Sequence, residues 1–179
     1  MKTETLHQVP TIGPGAAATV SLDDVIATAA PVIQLKNILV PVDFSEMSLK
    51  SLQYAVPFAR QFESKLTLLH VIQPAEDAVQ LGYPAFFASK LFAEVEKRLE
   101  DVRATMVPSE LAVDILVRHN FVFDGILEAA HEVRADLIIT TTHGYSGLKH
   151  LMMGSTAENI VRRAPCSVLV VREVEHDFV

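Results

Sequence analysis

Five short apolar runs punctuate the chain, and the segments between them carry hydrophobic residues at helical spacing. The first run, NILVPVDF from Asn37, has the length and β-branched content of a buried strand. Ser45 follows as an N-cap, and Leu49, Leu52, Ala55, Ala59 and Phe62 then mark one face of an amphipathic helix. KLTLLHVI, 65–72, is a second strand. After a loop holding Pro74, Gly82 and Pro84, the residues Phe87, Leu91, Val95, Leu99, Val102 and Met106 outline a long helix that Pro108 closes. AVDILVR (112–118), ADLIITTT (135–142) and SVLVVR (167–172) are the remaining strands. Helices are expected over about 123–133 and over 155–163, the latter stopped by Ala164-Pro165.

Strands that are apolar almost throughout need cover on both faces, which is the mark of a parallel sheet. Alternation of strand and helix with right-handed crossovers then predicts an α/β fold: a doubly wound five-stranded parallel sheet with helices on both faces. In such sheets a ligand binds beyond the carboxyl ends of the strands, at a switch in strand order. Asp43 follows the first strand and Val71 closes the second. The stretch THGYSGLKHLMMGST, 142–156, follows the fourth, so all three fall on one edge.

That stretch carries the candidate chemistry. Glycines let a backbone approach a phosphate closely, and a helix N-terminus adds unpaired N–H groups with a partial positive charge. Gly144 follows the strand, Gly154 and Ser155 precede a helix, Ser155 and Thr156 bring hydroxyls, and Lys149 brings charge. The competing reading is structural. Ser155-Thr156-Ala157-Glu158 fits a capping box with Ser155 as N-cap, and loop glycines often serve only turns. A P-loop and a GxGxxG fingerprint are both missing.

Composition narrows the partners. Half of the 179 residues are hydrophobic and 21% are charged, which excludes a disordered chain. A net charge of -7 without a basic run disfavours nucleic acid. The single cysteine, Cys166, rules out an intrachain disulfide or a zinc cluster and reads as a small buried hydrophobe. No apolar run reaches the roughly 20 residues of a membrane span. MKTETLHQVP has no signal-peptide core, so a cytoplasmic location is expected. His143 and His150 lack a third ligand at a defined spacing, so no metal site is expected; His70 reads as a satisfied core histidine. No nucleophile–base pair stands out, so the chain does not read as an enzyme beyond slow, incidental hydrolysis. Residues 1–35 read as an N-terminal arm, flexible or briefly helical from Ser21, with the domain over 36–174 and a tail over 175–179.

VPVDFSE (40–46), LLHVI (68–72) and the long segment from Thr142 to Arg172 resemble the universal stress protein family, over about Lys36 to Arg172. The resemblance implies an adenine nucleotide alpha-hydrolase-like fold, a stress-response role, and a homodimer paired through the last strand, Ser167 to Val171. One branch of that family binds ATP through Gly-x2-Gly-x9-Gly-Ser/Thr. Here Gly144 matches the second glycine, 145–153 the spacer, and Gly154-Ser155 the end; Thr141 replaces the first glycine and puts a side chain where the backbone would approach. The same resemblance points to Pro41, Val42 and Asp43, to the backbone at Val71 beside adenine, and to Thr140, Thr141 and Thr156. ATP, with or without Mg²⁺, is the implied cofactor. The alternative is a nucleotide-free dimeric interaction protein of the same fold.

Overall fold

The computed structural model describes residues 33–74, 85–142 and 154–172, the side chains of 85–88 excepted. The chain forms two units, Met1–Ile33 and Gln34–Val179, and every described residue but Ile33 belongs to the second. Most of the expected arm, the tail, Gly82 and the loop residues 143–153, with Gly144, Gly147, Lys149 and both loop histidines, lie outside the described residues.

The described elements run β1 (Asn37–Pro41), α1 (Glu46–Phe62), β2 (Lys65–Ile72), α2 (Ala85–Met106), β3 (Val113–His119), α3 (Val122–Glu132), β4 (Leu137–Thr141), α4 (Ser155–Arg163) and β5 (Ser167–Val171). The five strands form one parallel sheet in the order β3-β2-β1-β4-β5. The chain builds outward from β1 to β3, then returns to β1's other side for β4. The switch point is therefore the β1–β4 seam.

Side-chain alternation divides two cores between the sheet faces. Ile38, Val40, Leu66, Leu68, Leu137 and Ile139 pack with Leu52, Ala55 and Ala59 of α1 and Val95 and Leu99 of α2. Leu39, Leu69 and Ile138 pack with Ile126, Ala129 and Ala130 of α3 and Ile160 of α4. Two covered faces explain why β1 and β4 read as apolar runs rather than as alternating strands.

Local signals set the element ends. The hydroxyl of Ser45 accepts from the Ser48 N–H at 3.1 Å, the N-cap of α1. Asp136 ties the amino edge of the sheet, accepting from the N–H groups of Lys36 (2.7 Å) and Asn37 (2.9 Å). The buried stripe of α2 departs from expectation. Leu91 is 45% exposed, and Phe92 packs on the core in its place. Positions 92, 95, 99, 102 and 106 step by three and four residues in turn, the spacing that stays on one helix face.

Candidate functional site

The carboxyl edge of the seam is open because the β1–β4 ladder ends early. Its last register pair is Leu39 with Ile138, although β1 continues to Pro41 and β4 to Thr141. The cause is covalent. The carbonyl of Asn37 accepts from Asp136 on the β4 side, while the Val42 N–H donates to Leu69 of β2. Odd-numbered residues of β1 thus face β4. The next donor on that edge is Pro41, which has no N–H.

The start of α4 closes the far side of this gap. The Gly154 N–H donates to the Thr142 carbonyl at 2.9 Å, and the Thr142 N–H to the Val171 carbonyl at 3.1 Å. A Cβ on Gly154 would stand 2.9 Å from that same Thr142 oxygen, so the approach requires glycine. Gly154 is also the N-cap, with φ -59° and ψ 149° and no side-chain cap bond. This corrects the capping-box expectation. Ser155 is the first helical residue, and Glu158 is one position too late to reach back; it pairs instead with Arg162 at 2.9 Å. Ser-x-x-Glu misled because it fits either frame, and only the Gly154–Thr142 contact distinguishes them. The consequence for chemistry is direct: among the described residues the exposed hydroxyls of Ser155 and Thr156 cap no helix end, and the first-turn N–H groups carry the positive end of the helix dipole beside the end of β4.

Thr140 and Thr141 are buried at 8% and 7% exposure. Alternation along β4 carries Thr141 onto the face of Leu137 and Ile139, the α1 side, and Thr140 onto the side of α3 and α4. Val71 packs its methyl groups against α3, where a Cβ on Gly125 would meet them at 2.9 and 3.0 Å.

Asp43 sits at the mouth of the seam. Its Oδ1 accepts from the Ser45 N–H (2.9 Å) and hydroxyl (2.5 Å), and its own N–H donates to the Ser48 hydroxyl at 3.2 Å. The carboxylate therefore builds the turn into α1. The residue after it is unusual. Phe44 has φ 63°, a left-handed conformation that costs a non-glycine residue roughly 1–2 kcal/mol. Its ring centroid lies 4.7 Å from that of His70, and the Arg98 guanidinium lies 3.9 Å from it. His70 is half-buried and donates through Nδ1 to the Val42 carbonyl at 2.7 Å. Burial lowers its pKa from the ordinary 6.5; the Val42 bond raises it, Arg98 lowers it further, and Asp43 raises it. Burial likewise pushes the Cys166 thiol up, in keeping with an inert half-buried cysteine.

The site thus brings together Pro41, Val42, Asp43, Thr140, Thr141, Gly154, Ser155 and Thr156 on one edge, with Val71 at the end of the adjoining strand. The Phe44–His70–Arg98 cluster is what sequence reasoning missed. Arg98 lies on the polar face of α2, and its spacing carries no mark of a partner more than fifty residues away. Among the described residues, no group of three His, Cys, Asp or Glu side chains could hold a metal ion. No described helix is long and apolar enough to cross a membrane.

Fold and edge together define a doubly wound α/β protein whose β1–β4 seam lies at its switch point. A family model described as the universal stress protein family matches residues 34–172, and the chain belongs to that family. It is 34% identical over 151 residues to a putative universal stress protein of Staphylococcus aureus, covering 82% of this chain and 90% of that one. Its structure is similar to that of the hypothetical protein MJ0577 (TM-score 0.71, 26% identity, 80% of this chain and 100% of the other). A universal stress protein solved in complex with cAMP shares the fold, at TM-score 0.56 and 21% identity over 78% of this chain and 98% of the other. The fold is adenine nucleotide alpha-hydrolase-like.

Proposed function

We propose that this protein binds ATP or a related adenine nucleotide at the β1–β4 seam and acts in the stress response as a nucleotide-dependent switch. The observation that carries this reading is the start of α4: an uncapped helix N-terminus drawn onto the end of β4 by the Gly154–Thr142 bond. The donor set suits phosphate oxygens. Backbone N–H groups and two exposed hydroxyls converge there, and the one acid of the first turn is held by Arg162. Asp43, some way along the same edge, suits ribose hydroxyls, and the backbone beside Val71 suits the base. The burial of Thr141 on the α1 side supports the reading, since its side chain then leaves the gap. Mg²⁺ would arrive with the phosphates, because such ions keep most of their ligands as phosphate oxygens and water. Any hydrolysis would be slow.

The test is calorimetric titration with ATP, ADP, AMP and cAMP, with and without Mg²⁺. Affinity that rises with each added phosphate is expected. Absence of binding by all four would sink the proposal and leave a nucleotide-free interaction role. The dimer proposed through β5 rests on that strand's place at the sheet edge with half-buried apolar residues at 168–170.

A further inference from the structure

The segment from Val42 to Ser45 is short and fixed at both ends. Val42 is bonded to β2 through both its N–H and its carbonyl, to Leu69 and to His70. Ser45 is committed as the cap of α1. Only Asp43 and Phe44 span the interval, and Phe44 does so in a conformation that bulky residues avoid. A strained residue persists where its surroundings over-determine it. Here the surroundings are a ring contact with His70 and a guanidinium over the ring. Among the described residues Arg98 has no ion pair, so the ring is the partner that accounts for its position.

We propose that Arg98 is a positioning residue for the ligand site: with His70 it clamps the Phe44 ring, and the clamped ring holds the left-handed turn that presents the Asp43 carboxylate. What Asp43 then contacts, the ribose hydroxyls of a nucleotide, rests on the function proposed above; the clamp itself does not. Asp43 and Arg98 belong to elements separated by the whole of α1 and β2, so α2 gains a means of tuning a site it does not line.

The first measurement needs no ligand. Amide hydrogen exchange at Ser45 reports the turn, because its N–H donates to Asp43 Oδ1. Leu68, buried in β2, reports global opening. In Arg98→Ala, exchange at Ser45 is expected to quicken about tenfold, the scale of one cation–π contact, with Leu68 unchanged. Arg98→Lys, which keeps the cation, should recover part of the protection. In a Phe44→Ala background, Arg98→Ala should add nothing further. Unchanged exchange at Ser45, equal acceleration at Ser45 and Leu68, or a full further effect without the ring would each overturn the clamp. The second measurement addresses the ligand. Arg98→Ala should weaken ATP several-fold more than 2′,3′-dideoxy-ATP, which lacks the hydroxyls that Asp43 would meet. Equal losses for the two nucleotides would overturn the link to Asp43. If the unmodified protein binds neither nucleotide, the proposed function fails, and the Ser45 exchange still decides the clamp.

Discussion

Replacing Ser155 with proline tests the proposed phosphate site without disturbing the helix that would form it. Gly154→Val is the more obvious choice and the worse one, since any Cβ there meets the Thr142 oxygen and displaces the helix start. Ser155 is the first residue of α4, where proline's fixed φ suits the helix and its missing N–H breaks no intrahelical bond. The residue before a proline must be extended, and Gly154, at φ -59° and ψ 149°, already is. The Glu158 N–H keeps the Gly154 carbonyl as its acceptor, and the Asn159 side chain keeps the carbonyl of residue 155. Stability should therefore stay within about 1 kcal/mol of the parent and rise if anything, because proline restricts the unfolded chain. If the proposed site is right, binding should suffer, because one N–H available to a phosphate is lost. A hydrogen bond to a charged group is worth about 1.5–3 kcal/mol, which converts to roughly 10- to 150-fold in affinity for ATP. Ser155→Ala removes only the hydroxyl and apportions the loss between side chain and backbone. The assay is calorimetric titration with ATP, paired with thermal unfolding. Parental ATP affinity in Ser155→Pro, at an undiminished melting temperature, would refute the helix terminus as the phosphate site.

Other outcomes follow from the same contacts. Gly125→Ala should cost about 1–3 kcal/mol by overpacking the stiff Val71 side chain; urea unfolding should show Val71→Ala restoring much of it, and simple additivity of the two would count against the contact. The folded pKa of His70 lies below its unfolded value of 6.5, so the unfolded state binds more protons between the two. Its contribution is fully present above 6.5 and is lost as pH falls toward the folded value; His70→Asn, which keeps a donor for Val42, should flatten that part of the stability profile, and an unaltered slope would contradict it. On β5 the Val171 carbonyl faces β4, so alternation turns the N–H of Val170 to the outer edge. Val170→Pro should leave the fold intact and abolish a β5-paired dimer in sedimentation experiments, and persistence of the dimer would place the interface elsewhere.

The sheet was legible in the sequence because its signal is redundant. Each strand is an apolar run bounded by turn residues, and the helices between carry hydrophobic residues three and four apart. Leu91 shows the limit of that pattern. It and Phe92 are adjacent large apolar residues, and only the phase set by the rest of α2 decides which is buried. The edge that carries the candidate site was legible in outline, since topology places the ends of β1, β2 and β4 and the start of α4 together. Its details depend on contacts between residues far apart in the chain. The competing reading of Ser155 as a cap fails because capping boxes are recognised by residue type, whereas the cap, Gly154, is set by where the backbone meets Thr142. The turn at Phe44 could not be foreseen, because phenylalanine gives no hint of a left-handed backbone.

The seam itself depends on two groups that are missing from the chain. Pro41 lacks the N–H that would extend the β1–β4 ladder, so the strands part while each stays paired with its outer neighbour to its end. Gly154 lacks the Cβ that would hold α4 away from Thr142, so the helix start is drawn up to the edge where the strands part. Pro41 thus acts on the edge facing β4, and Gly154 acts at the end of β4. Neither effect needs a ligand to be present. Read by residue type alone, Pro41 suggests a contact and Gly154 a flexible turn. Placed in the sheet, the proline opens the seam and the glycine draws the start of α4 to the end of β4, the arrangement on which the proposed nucleotide site rests.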